Sequence, residues 1–441
     1  MGTVDSPSVT TTKLNRIAWL SQQVSEKDFR QLMHHYNKES LAECFQQLDG
    51  SKAVGIDKIT KEEYAKNLDT NLQDLIDRMK KMAYRPSPVR EVLIPKEGKP
   101  GATRPLGISN FEDKIVQKMT QRVLESIYEP LFLECSYGFR PGKGCHDAIK
   151  ALNEHLYKNE IQTIIDIDLK NFFGTIDHKI LEEILRVKIK DFTFMRYIIR
   201  MFKAGVLSKD EFKVTEEGVP QGSICSPVLA NIFAHYAIDI WIEKMVKPKC
   251  KGKVALFRYA DDQVICCEYE EDALRIREVL PKRLDKFKLK LNEEKTKLVP
   301  FDKRKARMGI KQGTFDFLGF TFYWGDSING HTIPKLKTKA KTMRTKLNKV
   351  TDWIKTIRNK KPLKEIWKTF QAKVRGSIEY YGVSHNIGEV KNFIHRSEKI
   401  MFKWLNRRSQ RRSFSWEKYM IFEKANPLPK ARVAYKLFET K

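Results

Sequence analysis

The sequence predicts an α+β protein, with short β-hairpins set among amphipathic helices over its first three quarters and a basic helical stretch after them. Three observations carry this expectation. Apolar residues recur every three or four positions in runs such as LAECFQQL and NLQDLIDRMKKM, which is the period of a helix with one buried face. Two other segments read as hairpins: the alternating run Val89 to Pro95 with its basic, Gly-rich loop, and VALFRYADDQVICCEY, whose apolar halves flank an acidic turn. Charge is also unevenly placed. From His331 to Lys441 there are 29 basic and 8 acidic residues, net +21, out of +28 for all 441 residues.

Taken in order, residues 1–12 read as a polar tail and 13–83 as mostly helical. The first hairpin follows, then a long helical pattern from Phe111 to about Phe132, the loop SYGFRPGKG and a helix from Cys145. IQTIIDIDL reads as a strand, and GVPQGSICSPVLANIF as a turn opening a helix. After the acidic hairpin, KLKLNEEKTKLV and FDFLGFTFYWG are expected to form a further strand pair. Beyond a loop near Gly325 to Gly330 the chain is expected to be helical, apart from a loop around 382–388. This divides the molecule into the tail, a unit over 13–325 and a helical unit over 333–441 with a short basic tail.

Composition narrows the function classes. Hydrophobic residues at 41% and charged residues at 31% suit a folded protein of two or three units. No run nears the roughly 20 apolar residues of a membrane span, and the N-terminus lacks a signal pattern. The seven cysteines form no CxxC pair and no HExxH occurs, so zinc and disulfide frameworks are not expected. An excess of 28 positive charges points to a polyanionic partner, because each cation set on a phosphate releases a condensed counterion.

The residues with chemical weight are acidic. Asp168 ends the apolar strand IIDID, and Asp261 and Asp262 form the tip of the second hairpin, between the apolar flanks Leu256, Phe257, Val264 and Ile265. Three carboxylates gathered on buried strands require cations. Two Mg²⁺ ions about 3.5–4 Å apart on such acids are what in-line phosphoryl transfer uses. Asp166 competes with Asp168 on the same strand.

Tyr259-Ala260-Asp261-Asp262 resembles the YxDD box of reverse transcriptases, in the YADD form of group II intron-encoded enzymes. IPKEGKPGATRPLGI, SYGFRPGKG, DIDLKNFFGTIDH, GVPQGSICSPVLANI, LNEEKTKLV and FDFLGF are similar, in order, to successive blocks of that family. The resemblance implies a right-hand polymerase, with fingers and an antiparallel palm sheet in the first unit and a helical thumb and maturase (X) domain in the second. It implies Asp168, Asp261 and Asp262 as catalytic metal ligands for two Mg²⁺, with Mn²⁺ as a substitute. Lys96, Arg104, Phe173 and Gln221 would meet the incoming deoxynucleotide. Phe173, five residues after Asp168, would be the ring that excludes a ribose 2′-hydroxyl. Arg140 is a second candidate for the phosphate cradle, and Lys295 for the acid that protonates pyrophosphate. FDFLGF resembles the primer grip. Gly174 departs from the family, which often has Asp there.

In the second unit, Met343, Leu347, Val350, Ile354 and Ile357 share a helical face, with Lys341 and Arg344 among the cations around it. RGSIEYYGVSHN and FKWLNRRSQRRSFSW resemble the maturase region. Arg407, Arg408, Arg411 and Arg412 would contact RNA, with Tyr380, Tyr381, Trp404 and Trp416 packing or stacking on bases. About 25 residues follow Trp416, so no HNH endonuclease is expected. The implied partners are a group II intron RNA, an RNA template with a DNA primer, deoxynucleotides and target DNA, in a bacterial cytoplasm near the nucleoid. No membrane partner is implied, and the oligomeric state stays open, a dimer included. The rival readings are a domesticated defence or diversity-generating reverse transcriptase, and an RNA-binding splicing cofactor with a vestigial polymerase site.

Overall fold

The computed structural model describes residues 8–24, 26–95, 101, 103–208, 211–213, 217–219, 222–408 and 415–438. Lys96, Gln221, Arg411 and Arg412 lie outside them. Four helices, α1 (Val9–Gln23), α2 (Lys38–Gln47), α3 (Lys61–Ala65) and α4 (Leu68–Lys80), lead into the hairpin β1 (Val89–Pro95) and β2 (Thr103–Ile108). Then come α5 (Phe111–Tyr128), α6 (Cys145–Lys158), β3 (Thr163–Ile167), α7 (His178–Lys188), α8 (Phe192–Lys203), β4 (Val206–Ser208) and β5 (Glu211–Lys213). Helix α9 (Ser226–Ala234) runs on through π-helical turns to Val246. The acidic hairpin is β6 (Val254–Tyr259) and β7 (Asp262–Cys267), followed by α10 (Glu270–Asp285), β8 (Lys297–Pro300) and α11 (Lys303–Arg307). Strands β9 (Phe315–Phe317), β10 (Phe320–Asp326) and β11 (Thr332–Thr338) precede α12 (Ala340–Ile357), α13 (Leu363–Tyr381), α14 (Ile387–Leu405) and α15 (Trp416–Ala425).

The sheet that matters for function has the order β6-β7-β3-β8, with every pair antiparallel. Strand alternation buries both of its faces. Ile165, Ile167, Ile265 and Cys267 enter a core built with α5 and α7 to α10. Ile164, Val264 and Cys266 enter a second core with Phe315, Phe317, Phe320, Phe322 and the apolar stripes of α12 to α14. Each such side chain, fully buried, contributes about 1.5–3 kcal/mol. The sheet is therefore the plate on which both halves of the molecule pack. On α12 the face read from the sequence is the buried one: Met343, Leu347, Val350 and Ile354 face inward, while Lys341 and Arg344 are exposed.

Three expectations are corrected. Helix α1 begins at Val9, inside the stretch read as a polar tail, because Ser8 caps the Thr11 amide and Thr10, Leu14, Ile17 and Ser21 form one buried stripe. KLKLNEEKTKLV and FDFLGFTFYWG do not pair with each other. The first ends in β8, which pairs β3, whereas the second makes β9 and β10 of a separate sheet ordered β11-β10-β9. Residues 332–338, expected to be loop and helix, are β11. Ile333, Leu336 and Thr338 are buried and the strand pairs β10 along its whole length. The basic helices start only at Ala340.

Candidate active site

The register of the central sheet brings the acids together. Ile167 pairs with Gln263, so one step further Asp168 stands opposite Asp262. Side chains two apart share a face; Asp166, Asp168 and Asp262 therefore project from the same side, toward β9 and β10. Asp261 occupies the turn, beside Ala260 at φ +56°. All four line an open cleft of about 500 Å³ with Lys295, Lys297, Asp316, Leu318 and Lys339.

Charge in this cleft is held against opposition. Burial raises the Asp261 carboxyl above its ordinary value, and Asp168 adds to the effect. Burial pushes Asp262 up to about 6, against the Leu318 amide that lowers it and with Asp261 raising it further. Asp166 is pushed up to about 7 by burial, then by Asp262 and Asp316. Asp168 is more open and is clasped by the LNEEKT turn: Asn292 Nδ2 donates to its Oδ2 at 2.6 Å, Lys295 Nζ stands 3.0 Å from the same oxygen, and Thr296 Oγ1 accepts from its amide at 3.2 Å. Among the described residues no three acidic, His or Cys side chains close on a single point as a finished metal cage. The donor set is nonetheless all hard oxygen, mutually repelling and open to solvent. That fits a divalent cation completed by water and phosphate oxygens rather than by protein.

The acidic turn is fixed from beneath by a residue that sequence reasoning passed over. Arg258 is wholly buried and pairs with the equally buried Asp239, Nη2 to Oδ2 at 2.6 Å and Nε to Oδ1 at 2.7 Å. The same guanidinium donates to Asn231 Oδ1, Ser136 Oγ and the Ala260 carbonyl. Asn231 in turn donates to the Gly138 carbonyl at 2.6 Å. Gly138 lies so close to the turn that a Cβ there would be 2.4 Å from the Ala260 amide. The glycine of SYGFRPG and the arginine of FRYADD therefore lock the same backbone. The signal was legible, since a strand as apolar as VALFRY leaves its arginine nowhere to go but a buried acid. Arg140, by contrast, is no phosphate ligand. It is buried and spends its guanidinium on Glu129 and on the carbonyls of Leu133 and Ser136.

Phe173 is half-buried beside this turn, edge-on to Phe172 and to the exposed Phe139, whose ring also lies against Tyr259. Its carbonyl accepts the Val219 amide at 2.9 Å, which ties the segment before PQG to it. The departure at Gly174 has a local cause, because a Cβ there would fall 2.2 Å from the folded-back Asn171 amide. Gly222, at φ +108°, packs so tightly that a Cβ would meet the Gly107 carbonyl at 2.5 Å. The base of the β1–β2 hairpin thus abuts Gly222, with Arg104 exposed three residues further out on β2.

At the second unit, Arg407 and Arg408 follow the end of α14. Arg407 lies 5.0 Å from the Trp404 ring, with Lys355 at 5.0 Å, Arg358 at 4.8 Å and Lys403 at 6.0 Å. Arg408 donates to the Lys361 carbonyl. Trp404 is therefore ringed by cations rather than offered to a base, while Trp416 is edge-on to Phe402 and about half exposed.

An antiparallel sheet presenting paired strand-borne acids to an open cleft, beside an aromatic wall, defines a nucleotidyl-transfer type of site. Residues 94–322 match the family model described as reverse transcriptase (RNA-dependent DNA polymerase). The chain belongs to that family. It is 34% identical over 223 residues to the group II intron-encoded protein LtrA of Lactococcus lactis, covering 50% of this chain and 37% of LtrA. It is 32% identical over 279 residues to the protein YkfC of Escherichia coli, covering 56% of this chain and 73% of YkfC. It is 37% identical over 193 residues to a 91 kDa protein in the cob intron of Schizosaccharomyces pombe, covering 44% of this chain and 23% of that protein. The chain thus spans under two fifths of LtrA's length. No helix among the described residues is long and apolar enough to cross a membrane.

Proposed function

We propose that this protein is the RNA-directed DNA polymerase of a group II intron, extending a DNA primer on an RNA template and binding its intron RNA to assist splicing and retrohoming. The observation that carries the reading is the meeting of Asp168, Asp261 and Asp262 on one cleft, inside the stretch that matches the reverse transcriptase family. On this reading β1 and β2 belong to the fingers, the β6-β7-β3-β8 sheet is the palm, and α12 to α14 form the thumb and maturase region.

Each residue has a task that follows from its surroundings. Asp168 and Asp261, with Asp262 adjacent, would hold two Mg²⁺, or Mn²⁺ in their place. Those ions supply activation of a primer 3′-hydroxyl and charge for the departing pyrophosphate. Arg258 keeps the acidic turn from shifting, which matters because misplacement by about 1 Å can cost a hundredfold in rate. Phe173 and Phe139 wall the space where the sugar of the nucleotide lies. Arg104, with Lys96 and Gln221, meets the triphosphate and the nascent pair. Lys295 restrains Asp168 and stands ready to give the Nζ proton to pyrophosphate. Lys341, Arg344, Arg407 and Arg408, with Arg411 and Arg412, contact nucleic-acid phosphate. The ring of cations around Trp404 favours recognition of backbone over base.

The test is an oligo(dT)-primed poly(rA) assay with Mg²⁺ and dTTP, run beside binding to the intron RNA that copurifies from the native host. Wild type is expected to make cDNA. Asp261→Ala with Asp262→Ala is expected to abolish synthesis and leave RNA binding intact. Equal loss of both, or a silent wild type, overturns the polymerase reading.

A further inference from the structure

The C-terminal helices reach the acidic cleft through a turn whose conformation is costly. Between β9 and β10, Leu318 has φ +50° and Gly319 φ +81°. Glycine adopts this region freely, whereas a leucine must be held there. Both peptide groups around Leu318 are engaged. Its amide donates to Asp262 Oδ2 at 3.1 Å, and its carbonyl accepts from the Tyr380 hydroxyl, on α13, at 3.0 Å.

Tyr380 is itself well fixed. Its ring stacks on Phe320 at 5.9 Å with 16° between planes, and its carbonyl meets His146 Nε2, on α6, at 2.8 Å. The next residue closes the far side of the turn, since a Cβ on Gly319 would lie 3.1 Å from the Tyr381 hydroxyl. Buried Asn386 then ties the Tyr381 carbonyl to Thr338 at the end of β11.

We propose that Tyr380 is a positioning residue for the polymerase site: its hydroxyl holds Leu318 in the left-handed conformation that aims the Leu318 amide at Asp262, so that docking of α13 sets the orientation of this carboxylate. The proposal rests on the role given to Asp262 above. It makes the C-terminal region a condition of polymerase geometry, in addition to a surface for RNA. The contact runs from α13 through two hydrogen bonds to an acid of the cleft, and Tyr380 itself touches no reacting atom.

Tyr380→Phe in the full chain removes only the hydroxyl. The Leu318 amide is expected to exchange with deuterium about five- to tenfold faster in this variant, measured without metal or nucleic acid. Primer extension is expected to lose about tenfold in kcat with the dNTP KM within about twofold, as befits lost alignment rather than lost binding. A left-handed conformation suits asparagine better than leucine. In a Leu318→Asn background the Tyr380→Phe loss is therefore expected to shrink to under about threefold. Unchanged exchange at Leu318, or an equal kcat loss in both backgrounds, overturns the proposal. A silent wild type would instead strike the polymerase reading, and the exchange measurement would still decide the role of Tyr380.

Discussion

The central sheet and the C-terminal helices use charge in opposite ways. Under the acidic turn a single arginine is removed from water and every donor is matched: Arg258 meets Asp239 twice and three further acceptors once each. On α12, on α14 and just past its end, the cations Lys341, Arg344, Lys403 and Arg407 are exposed, and none is drawn into an ion pair among the described residues. A buried, saturated charge fixes geometry, because moving it would strand a partner in low dielectric. An exposed, unpaired row adapts to many positions of a polyanion and is weakened by salt. On the function proposed above, one region places atoms within fractions of an ångström and the other holds a long substrate loosely.

The contrast is broken most severely at Arg258. Arg258→Met leaves Asp239 ionised and buried, and is expected to cost about 3–5 kcal/mol, read as a large fall in the denaturant midpoint. Pairing it with Asp239→Leu removes both charges and is expected to recover most of that loss. Burial opposes ionisation of Asp239, yet Arg258 and His235 outweigh it and hold the carboxyl below its ordinary value. A depressed folded-state pKa gives stability that is present above the unfolded carboxylate value and fades as pH falls toward the folded one. Wild type should therefore lose stability in acid by a component that the double variant lacks. A double variant as unstable as the single one would show that packing, not charge, governs the site.

A smaller effect is expected at Phe173, where the question is selectivity. Phe173→Val opens the space beside Phe139 and Tyr259 without disturbing the Val219 amide, which bonds to the Phe173 backbone. Discrimination between dTTP and UTP on poly(rA) is expected to fall by about 10- to 200-fold, with dTTP incorporation largely kept. Unchanged discrimination would assign Phe173 to the core alone.

Legibility followed the range of the interactions. The acidic hairpin was readable because its alternation and turn lie within one short stretch, and the α12 stripe because its period is local. The partners of β8 and β11 were not. Pairing β8 with β3 depends on a meeting of residues 163–166 with 297–300, and nothing in either strand names the other. β11 was hidden by its lysines, which sit among buried Ile333 and Leu336 in a pattern that composition alone assigns to the basic helices beyond. At the site, the aspartates were visible as residue types, and Asp168 stood out from Asp166 by the aromatic five residues after it, whereas their different surroundings were not legible. Both share a face, but Asp166 is set against Asp262 and Asp316, and Asp168 against Lys295 and the turn. Asn292 carried no local mark and Tyr380 read only as an aromatic for packing or stacking, because each acts on a residue more than sixty positions away.

The mildest perturbation falls on the C-terminal cations. Replacing Lys341, Arg344, Arg407 and Arg408 together by Gln removes four cations without exposing a buried partner, so stability should change little. Affinity for RNA should weaken about equally for unrelated sequences, since phosphate contacts carry no base information. If each cation neutralises one phosphate, the slope of log K against log salt should become shallower by roughly 3–4, near 0.9 per contact on duplex and 0.7 on single strands. Primer extension at saturating template and low salt should stay close to wild type, because none of the four lines the acidic cleft. A salt slope that does not move would place the polyanion on another surface. A slope that falls together with kcat would show that the loose region also aligns the reacting end, and the division between placing and holding would give way to a single continuous grip.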